Sequence, residues 1–291
     1  MNKTDDVKNH FEKPHHVADH GGEAPGGEAA ILDYANTDWE KAFWFLRQRQ
    51  ITEMVVARLR PGSRILEVGC GVGELISGLA RRGYACTGLD ISTAMIEQAR
   101  QREAARPSGI TWLTGDVVSH DAPPYDAVIA NGVICYYAEQ RPFLEKIRTL
   151  LSPDGVAVIS HRNRLFNLVA LNAGTVDFLE TDLLAHLPAV ERERALTRLR
   201  ESLPGMTSPI ERSSNHALMR TAENPLTVSA QYVDCGFRVE EIVATCIHPL
   251  PPRLTDIRRG EDVFEVTKRY ERSWQGLFLG SQFIVGARRA D

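Results

Sequence analysis

The sequence predicts an α/β fold, a doubly wound and mostly parallel sheet that carries a helical insertion after its fifth strand. Three observations predict it. The run Ile65-Leu66-Glu67-Val68-Gly69-Cys70-Gly71-Val72-Gly73-Glu74-Leu75 takes a short apolar strand straight into three glycines at alternate positions and then into a helical pattern. Such a strand–loop–helix junction is stripped of side chains, so a ligand can lie against bare backbone. Short apolar runs then alternate with helical periodicities as far as residue 160, the pattern of a sheet covered on both faces. The alternation breaks near residue 162 and returns near residue 226.

Taken in order, residues 39–59 form a helix because Trp44, Ile51, Val55 and Leu59 recur on one stripe, and Pro61-Gly62 stops it. A strand follows at 65–68, a helix at 74–82 ended by Gly83, a strand at 84–89, and a helix at 92–105 with Ser92 as its N-cap. Strands at 110–113 and 127–130 come next, the second led by Tyr125-Asp126. Pro142 opens a helix at 142–151, where Phe143, Ile147 and Leu150 share a face, and the fifth strand is 156–160. From 162 to 223 the chain reads as helical, with Leu179, Leu183 and Leu187 on one face and Leu196, Leu199 and Leu203 on another. A connection of about 60 residues exceeds an ordinary loop and is expected to be functional. The sheet resumes with a helix at 226–235, a strand at 236–243 and a closing apolar run at 277–285. The expected organisation is a flexible arm over 1–37, a sheet domain with a leading helix over 38–161, the insertion over 162–223, and the rest of the sheet over 224–291.

Bulk composition narrows the function. The 291 residues are 43% hydrophobic and 25% charged with a net charge of −4, which is ordinary for a soluble globular protein. That balance lacks the basic footprint of a nucleic-acid or anionic-membrane binder. The five cysteines show no Cys-x-x-Cys spacing, so neither a zinc site nor a disulfide framework is expected, and a reducing, cytoplasmic setting is. The first twenty residues are polar and lack a signal peptide's apolar core. No run approaches the roughly 20 apolar residues that cross a bilayer. His10, His15, His16 and His20 lie on the glycine-rich arm with no fixed scaffold, and no functional metal site is expected there.

The chemistry begins at the glycine loop. A nicotinamide or flavin fingerprint wants G-x-G-x-x-G, yet counting from Gly69 the third position is Glu74. No Gly-Lys-Ser/Thr follows, which excludes a P-loop. The pattern is instead acid-x-G-x-G-x-G led by Glu67. Asp90 ends the second strand, where a carboxylate can accept both hydroxyls of a ribose. Asp116 follows the third strand, where it could meet an exocyclic amine.

On residues 67–73, Asp90, Gly115-Asp116, 125–133 and Leu151-Ser152-Pro153-Asp154-Gly155, the chain resembles the class I S-adenosylmethionine-dependent methyltransferases, over roughly residues 38–160 and 225–288. The resemblance implies a Rossmann-like, seven-stranded sheet whose last strand is antiparallel, with S-adenosylmethionine as cofactor and S-adenosylhomocysteine as product. It implies that Gly69, Gly71 and Gly73 bring backbone against the methionine part, with Glu67 near its amino group. Asp90, with Ile91 beside it, would hold the ribose, and Asp116 with the Val117 amide would read the adenine. Asn131 and Gly132 would line the methyl-transfer cleft, followed here by Cys135-Tyr136-Tyr137. Trp39, Phe43 and Trp44 would either cover the cofactor or form a core stripe.

An acceptor that enters protonated needs a base. The candidate is His161, directly after the fifth strand, where ligands bind in such sheets; capping the strand is its other reading. Tyr136, Tyr137, Arg162, Arg164 and His248 are candidates to touch the acceptor, the arginines through bidentate contacts to a carboxylate or phosphate. Their other readings are packing under the insertion for the tyrosines, solvation for the arginines, and a place in a rigid loop, the favoured one, for His248. No Asn-Pro-Pro-Tyr motif, appended basic domain or paired carboxylates for magnesium are present. The expected function is therefore methyl transfer to an oxygen or nitrogen of a small molecule, such as a secondary metabolite or a glycan, by a monomer or homodimer. Two alternatives remain in view. A nicotinamide oxidoreductase is disfavoured by Glu74, and a non-catalytic cofactor-binding subunit is disfavoured by the retention of Asp90 with Asp116.

Overall fold

Alternation along the strands sorts the core into two layers. In β1 (Arg64–Val68), Leu66 and Val68 join one buried cluster and Ile65 the other. In β4 (Tyr125–Ala130), Val128 and Ala130 go with Leu66, while Ala127 and Ile129 go with Ile65. Side chains two apart share a face, so a strand apolar at every position must be covered on both sides. The structure is a computed structural model and describes residues 39–105, 107–202, 219–251 and 260–290, together with Asp6, Lys8 and Asn9. The expected N-terminal arm with its histidines thus lies almost wholly outside the described residues, as does Leu203.

The first half runs α1 (Trp39–Val56), β1, α2 (Glu74–Ala80), β2 (Ala85–Asp90), α3 (Thr93–Ala105), β3 (Thr111–Thr114), β4, α4 (Arg141–Leu150) and β5 (Leu151–Arg162). Ser92 caps α3 as expected, its Oγ accepting the Met95 N–H at 3.2 Å. In α4, Phe143, Ile147 and Leu150 are buried on the face the sequence assigns to them. The second half holds α5 (Asn167–Ala170), α6 (Ala173–Phe178), α7 (Ala189–Ser202), α8 (Val228–Asp234), β6 (Phe237–Ile247), α9 (Gly260–Tyr270), α10 (Trp274–Leu279) and β7 (Gly280–Arg289). The sheet is seven-stranded in the order β3-β2-β1-β4-β5-β7-β6, with β7 antiparallel to both neighbours. This is the Rossmann-like sheet that the resemblance implies. The chain steps outward from β1 to β2 and β3, then crosses back to β4, and a crevice opens at the carboxyl ends where the order reverses.

Four expectations need correction. The fifth strand begins at Leu151 rather than 156: Tyr125 pairs with Leu151 and Ala127 with Val156, so residues 152–155 bulge out of the ladder. Residues 277–279 belong to α10, because Ser273 caps that helix by accepting the Gly276 N–H, and β7 starts only at Gly280. α9 is additional; Val263 and Thr267, one turn apart, are buried, Val263 against Ala42 and Leu46 of α1. After α6, a single wide turn over Leu179–Leu183 ends the helix. Leu183 is thereby exposed, and the packed set is Val176, Leu184, Leu196 and Leu199 in place of Leu179, Leu183 and Leu187.

Candidate functional site

The crevice is a cavity of about 430 Å³ at the carboxyl edge of the sheet. Gly69, Gly71, Asp90, Ile91, Asp116 and Val117 line one end. Asn131, Tyr136, His161 and Arg162 line the cavity toward β5, and Tyr137 lines it where its hydroxyl meets Asp116. These eleven residues, all singled out in the sequence, are gathered into a single cleft together with Gly132, although they come from five different strand ends or loops.

The loop after β1 is pinned from β2. The N–H groups of Gly69 and Cys70 both donate to the Leu89 carbonyl, at 2.7 and 3.2 Å. Asp90 takes the Gly71 N–H on Oδ2 at 2.8 Å and the Ser92 N–H on Oδ1 at 2.9 Å, so it braces the loop and the start of α3 together. A Cβ on Gly69 would meet Val133 Cγ2 at 2.2 Å, whereas one on Gly71 or Gly132 would enter open space. The floor of the cleft at those two glycines is bare backbone. Asp116 accepts from the Val118 N–H at 3.0 Å and from the Tyr137 hydroxyl at 3.1 Å. Asn131 and Gly132 are tied through Ser160, whose Oγ accepts the Gly132 N–H at 2.7 Å and donates to Asn131 Oδ1 at 3.2 Å.

Two of the expected ligand-facing positions turn inward instead. Glu67 does not line the cleft; it is 3% exposed and accepts the Ile76 N–H of α2 at 3.1 Å. Burial holds its carboxyl well above the ordinary range, helped by the nearby Asp90 and Glu74 charges. A carboxyl whose pKa rises on folding contributes stability that is fully present below its unfolded pKa and is lost as pH rises through the folded one. Thermal melts of Glu67→Gln are therefore expected to match the wild type near pH 4 and to exceed it increasingly toward neutral pH, with S-adenosylhomocysteine affinity retained. Lost affinity without a gain in stability would return Glu67 to the ligand wall. Gly73 likewise misses the cleft and packs against Trp112.

At the far end, His161 is 2% exposed. Its ring stacks on Phe283 with centroids 5.1 Å apart, and Nε2 lies 2.7 Å from the Tyr232 hydroxyl. Nδ1 is buried without a hydrogen-bond partner, and burial drives the pKa down to about 3. Burial also raises the Tyr136 and Tyr137 hydroxyls above their ordinary range. His248 is outside the cleft lining, held between Phe43 and Phe166 with centroids 4.7 Å from each. Arg164 is withdrawn as an acceptor clamp, because it pairs with Asp177 and Asp182 at 2.8 and 2.6 Å and braces the insertion. Among the described residues, no group of three His, Cys, Asp or Glu could hold a metal ion, and no helix is long and apolar enough to cross a membrane.

The sequence reading missed Arg47, Met219, Arg220 and Gln282, all of which line the cleft. Arg47 had a signal. It lies three residues after Trp44 and four before Ile51, a cation set on an otherwise apolar stripe. The helix does reach the cleft, through Arg47 and not through Phe43 or Trp44.

Residues 66–157 match the model of a methyltransferase domain. An uncharacterized methyltransferase of Mycobacterium tuberculosis is 32% identical over 114 residues, covering 36% of this chain and 57% of that protein. A ubiquinone biosynthesis O-methyltransferase of a Caulobacter species is 30% identical over 113 residues, covering 38% of this chain and 45% of that protein. The chain spans about half the length of these relatives. Among solved structures, the CcbJ methyltransferase from Streptomyces caelestis superposes over 100% of both chains with a TM-score of 0.59 at 14% identity. The magnesium protoporphyrin IX methyltransferase from Synechocystis, with bound S-adenosylhomocysteine, gives 0.57 at 16% identity over 99% of this chain and all of that one. Both likenesses are of fold.

Proposed function

We propose that this chain, which carries a class I S-adenosylmethionine-dependent methyltransferase domain, moves the methyl group of that cofactor to an oxygen or nitrogen of a small molecule. The observation that carries the reading is one cleft in which bare backbone at Gly71 and Gly132 adjoins Asp90 and Asp116. The donor set suits the cofactor. Asp90 at the end of β2 offers carboxylate lone pairs to a ribose, and Asp116 with the Val117 amide offers an acceptor and a donor to adenine. Nothing would block a tail laid over Gly71 and Gly132, where even an added Cβ meets no atom within 4 Å. S-adenosylmethionine, when bound, supplies an already activated sulfonium methyl for in-line displacement.

The chain's own work is then orientation and exclusion of water. The insertion after β5 serves as the acceptor's cap, and five free, buried cysteines fit a reducing cytoplasm. His161 acts at the acceptor end as a neutral imidazole, oriented by the Tyr232 hydroxyl and the Phe283 ring. Because burial holds its pKa near 3, His161 is unprotonated throughout the working range and can accept a hydrogen bond from an acceptor at any such pH. Turnover is expected to show no inflection near the ordinary histidine value of about 6.5. His161→Ala should lower turnover more than cofactor affinity. A limb near pH 6.5 that vanishes in His161→Ala would mean that the ring is wetted and titrates during the cycle.

Calorimetric titration separates this reading from its alternative. S-adenosylhomocysteine is expected to bind and NAD(P) to leave no heat; the reverse would make the chain an oxidoreductase. Screening with labelled cofactor against a metabolite extract then identifies the acceptor, and failure to label any small molecule would favour a non-catalytic subunit.

A further inference from the structure

The cleft has opposite charge at its two ends. The carboxylates that line it are Asp90, which ends β2, and Asp116, which follows β3. Arg47, Arg162 and Arg220 line it at the other end, where Arg162 closes β5 and stands opposite Gln282 of β7 in the ladder. Three strand spacings separate β2 from β5, so the two ends are about 14 Å apart along the sheet. Methyl transfer from a sulfonium to a neutral nucleophile calls for no such cluster of cations.

Two of the three converge. Arg47 Nη1 donates to Gln282 Oε1 at 2.6 Å, which fixes the guanidinium over the β5–β7 end. Arg47 and Arg162 both act as positive charges on the Tyr136 hydroxyl and the Cys135 thiol, countering part of what burial does to them. Arg47 Nε is buried without a hydrogen-bond partner. Among the described residues, no carboxylate lies within ion-pair distance of Arg47, whereas Arg58, Arg164, Arg272 and Arg288 all have acidic partners. A half-buried guanidinium with no acidic partner among the described residues, and with a second arginine acting on the same hydroxyl, is costly unless an anion arrives to match it. Its planar fork suits a carboxylate or a phosphate, which it can hold through two parallel hydrogen bonds.

We propose that Arg47 and Arg162, with the Tyr136 hydroxyl beside them, bind an oxyanion carried by the methyl acceptor, so that the substrate class is an anionic small molecule bearing a carboxylate or a phosphate. This rests on the methyltransferase reading above. The rival source of an oxyanion is the cofactor's own methionine carboxylate. The glycine loop that would hold the methionine part follows β1, and β5 and β7 lie two and three strands beyond it, about 10 and 14 Å away. That offset favours the acceptor.

The test uses the full chain saturated with S-adenosylhomocysteine and titrated calorimetrically with benzoate, phenyl phosphate and the neutral benzamide. One of the two anions is expected to bind at least about tenfold more tightly than benzamide, and the tighter one names the oxyanion. Arg47→Gln and Arg162→Gln should each erase that preference while leaving S-adenosylhomocysteine affinity within about twofold. Benzamide binding as well as both anions to the wild type would overturn the proposal without touching the methyltransferase reading. So would variants that lose S-adenosylhomocysteine affinity but keep that for methylthioadenosine, which lacks the carboxylate, since the arginines would then serve the cofactor. A wild-type chain that binds no S-adenosylhomocysteine would overturn the proposal and the reading beneath it together.

Discussion

Asp90→Ala is expected to weaken S-adenosylhomocysteine binding by about 100-fold or more. The carboxylate holds the Gly71 N–H at 2.8 Å and the Ser92 N–H at 2.9 Å, so it fixes the bare-backbone loop and the start of α3 before any ligand arrives. It also lines the cavity. A hydrogen bond to a charged group contributes roughly 1.5–3 kcal/mol, and leaving its partner unsatisfied costs about as much. Loss of two such bonds, partly relieved by water entering the cleft, leaves about 3 kcal/mol, or 100-fold. Asp90→Asn keeps one acceptor oxygen and should fall between Ala and wild type. Asp116→Ala should cost less, because the Val118 N–H that Asp116 accepts is exposed and can pass to water, whereas both Asp90 bonds are made inside the fold. Calorimetry on folded protein checks the order. Affinity within threefold of wild type in Asp90→Ala would leave Asp90 a brace for the loop and nothing more.

Strand and loop chemistry was legible in the sequence wherever one local signal decided the outcome. The alternation over residues 64–160 reads correctly because buried parallel strands are short and apolar, and each helix between them has its own stop or cap, such as Ser92. The residues gathered at the carboxyl edge were legible for the same reason: a strand end is a position that chain order alone identifies. What failed depended on direction or on distant partners. Glu67 precedes the glycines in sequence, but strand alternation turns it under α2, where it meets Ile76. His248 follows β6 at the right height and is then captured by two aromatic rings from α1 and the start of α5. The leucine pattern after β5 was read with an unbroken helical period, but a wide turn at Leu179–Leu183 ends that helix, which leaves Leu183 exposed and Leu187 beyond it. Arg47 was visible as a charge on an apolar stripe, yet only the packing of α1 over the sheet shows where it points.

Gly73→Ala is expected to produce the opposite result to Asp90→Ala, a large loss of stability with cofactor affinity largely retained in the folded protein. Gly73 sits at the start of α2 with φ +81°, in the left-handed region, and a Cβ there would fall 2.2 and 2.7 Å from two carbons of the Trp112 ring. Trp112 is itself buried and is wedged between two glycines, since a Cβ on Gly88 would come within 2.7 Å of Cζ3, one of those two carbons. The left-handed backbone costs a non-glycine residue roughly 1 kcal/mol and forced overpacking a further 1–3 kcal/mol. The sum, about 3 kcal/mol, corresponds to a melting temperature lower by about 6 °C or more. Gly62→Ala isolates the backbone contribution, since Gly62 has φ +90° and nothing within 4 Å of an added Cβ, and it should lower the melting temperature by only about 2 °C. The glycine loop thus divides by depth: Gly69 and Gly71 line the ligand's cleft, while Gly73 makes room for the tryptophan beneath it. Should Gly73→Ala melt like the wild type and yet fail to bind S-adenosylhomocysteine, Gly73 would belong to the ligand wall, and the close approach of Trp112 would have no consequence for folding.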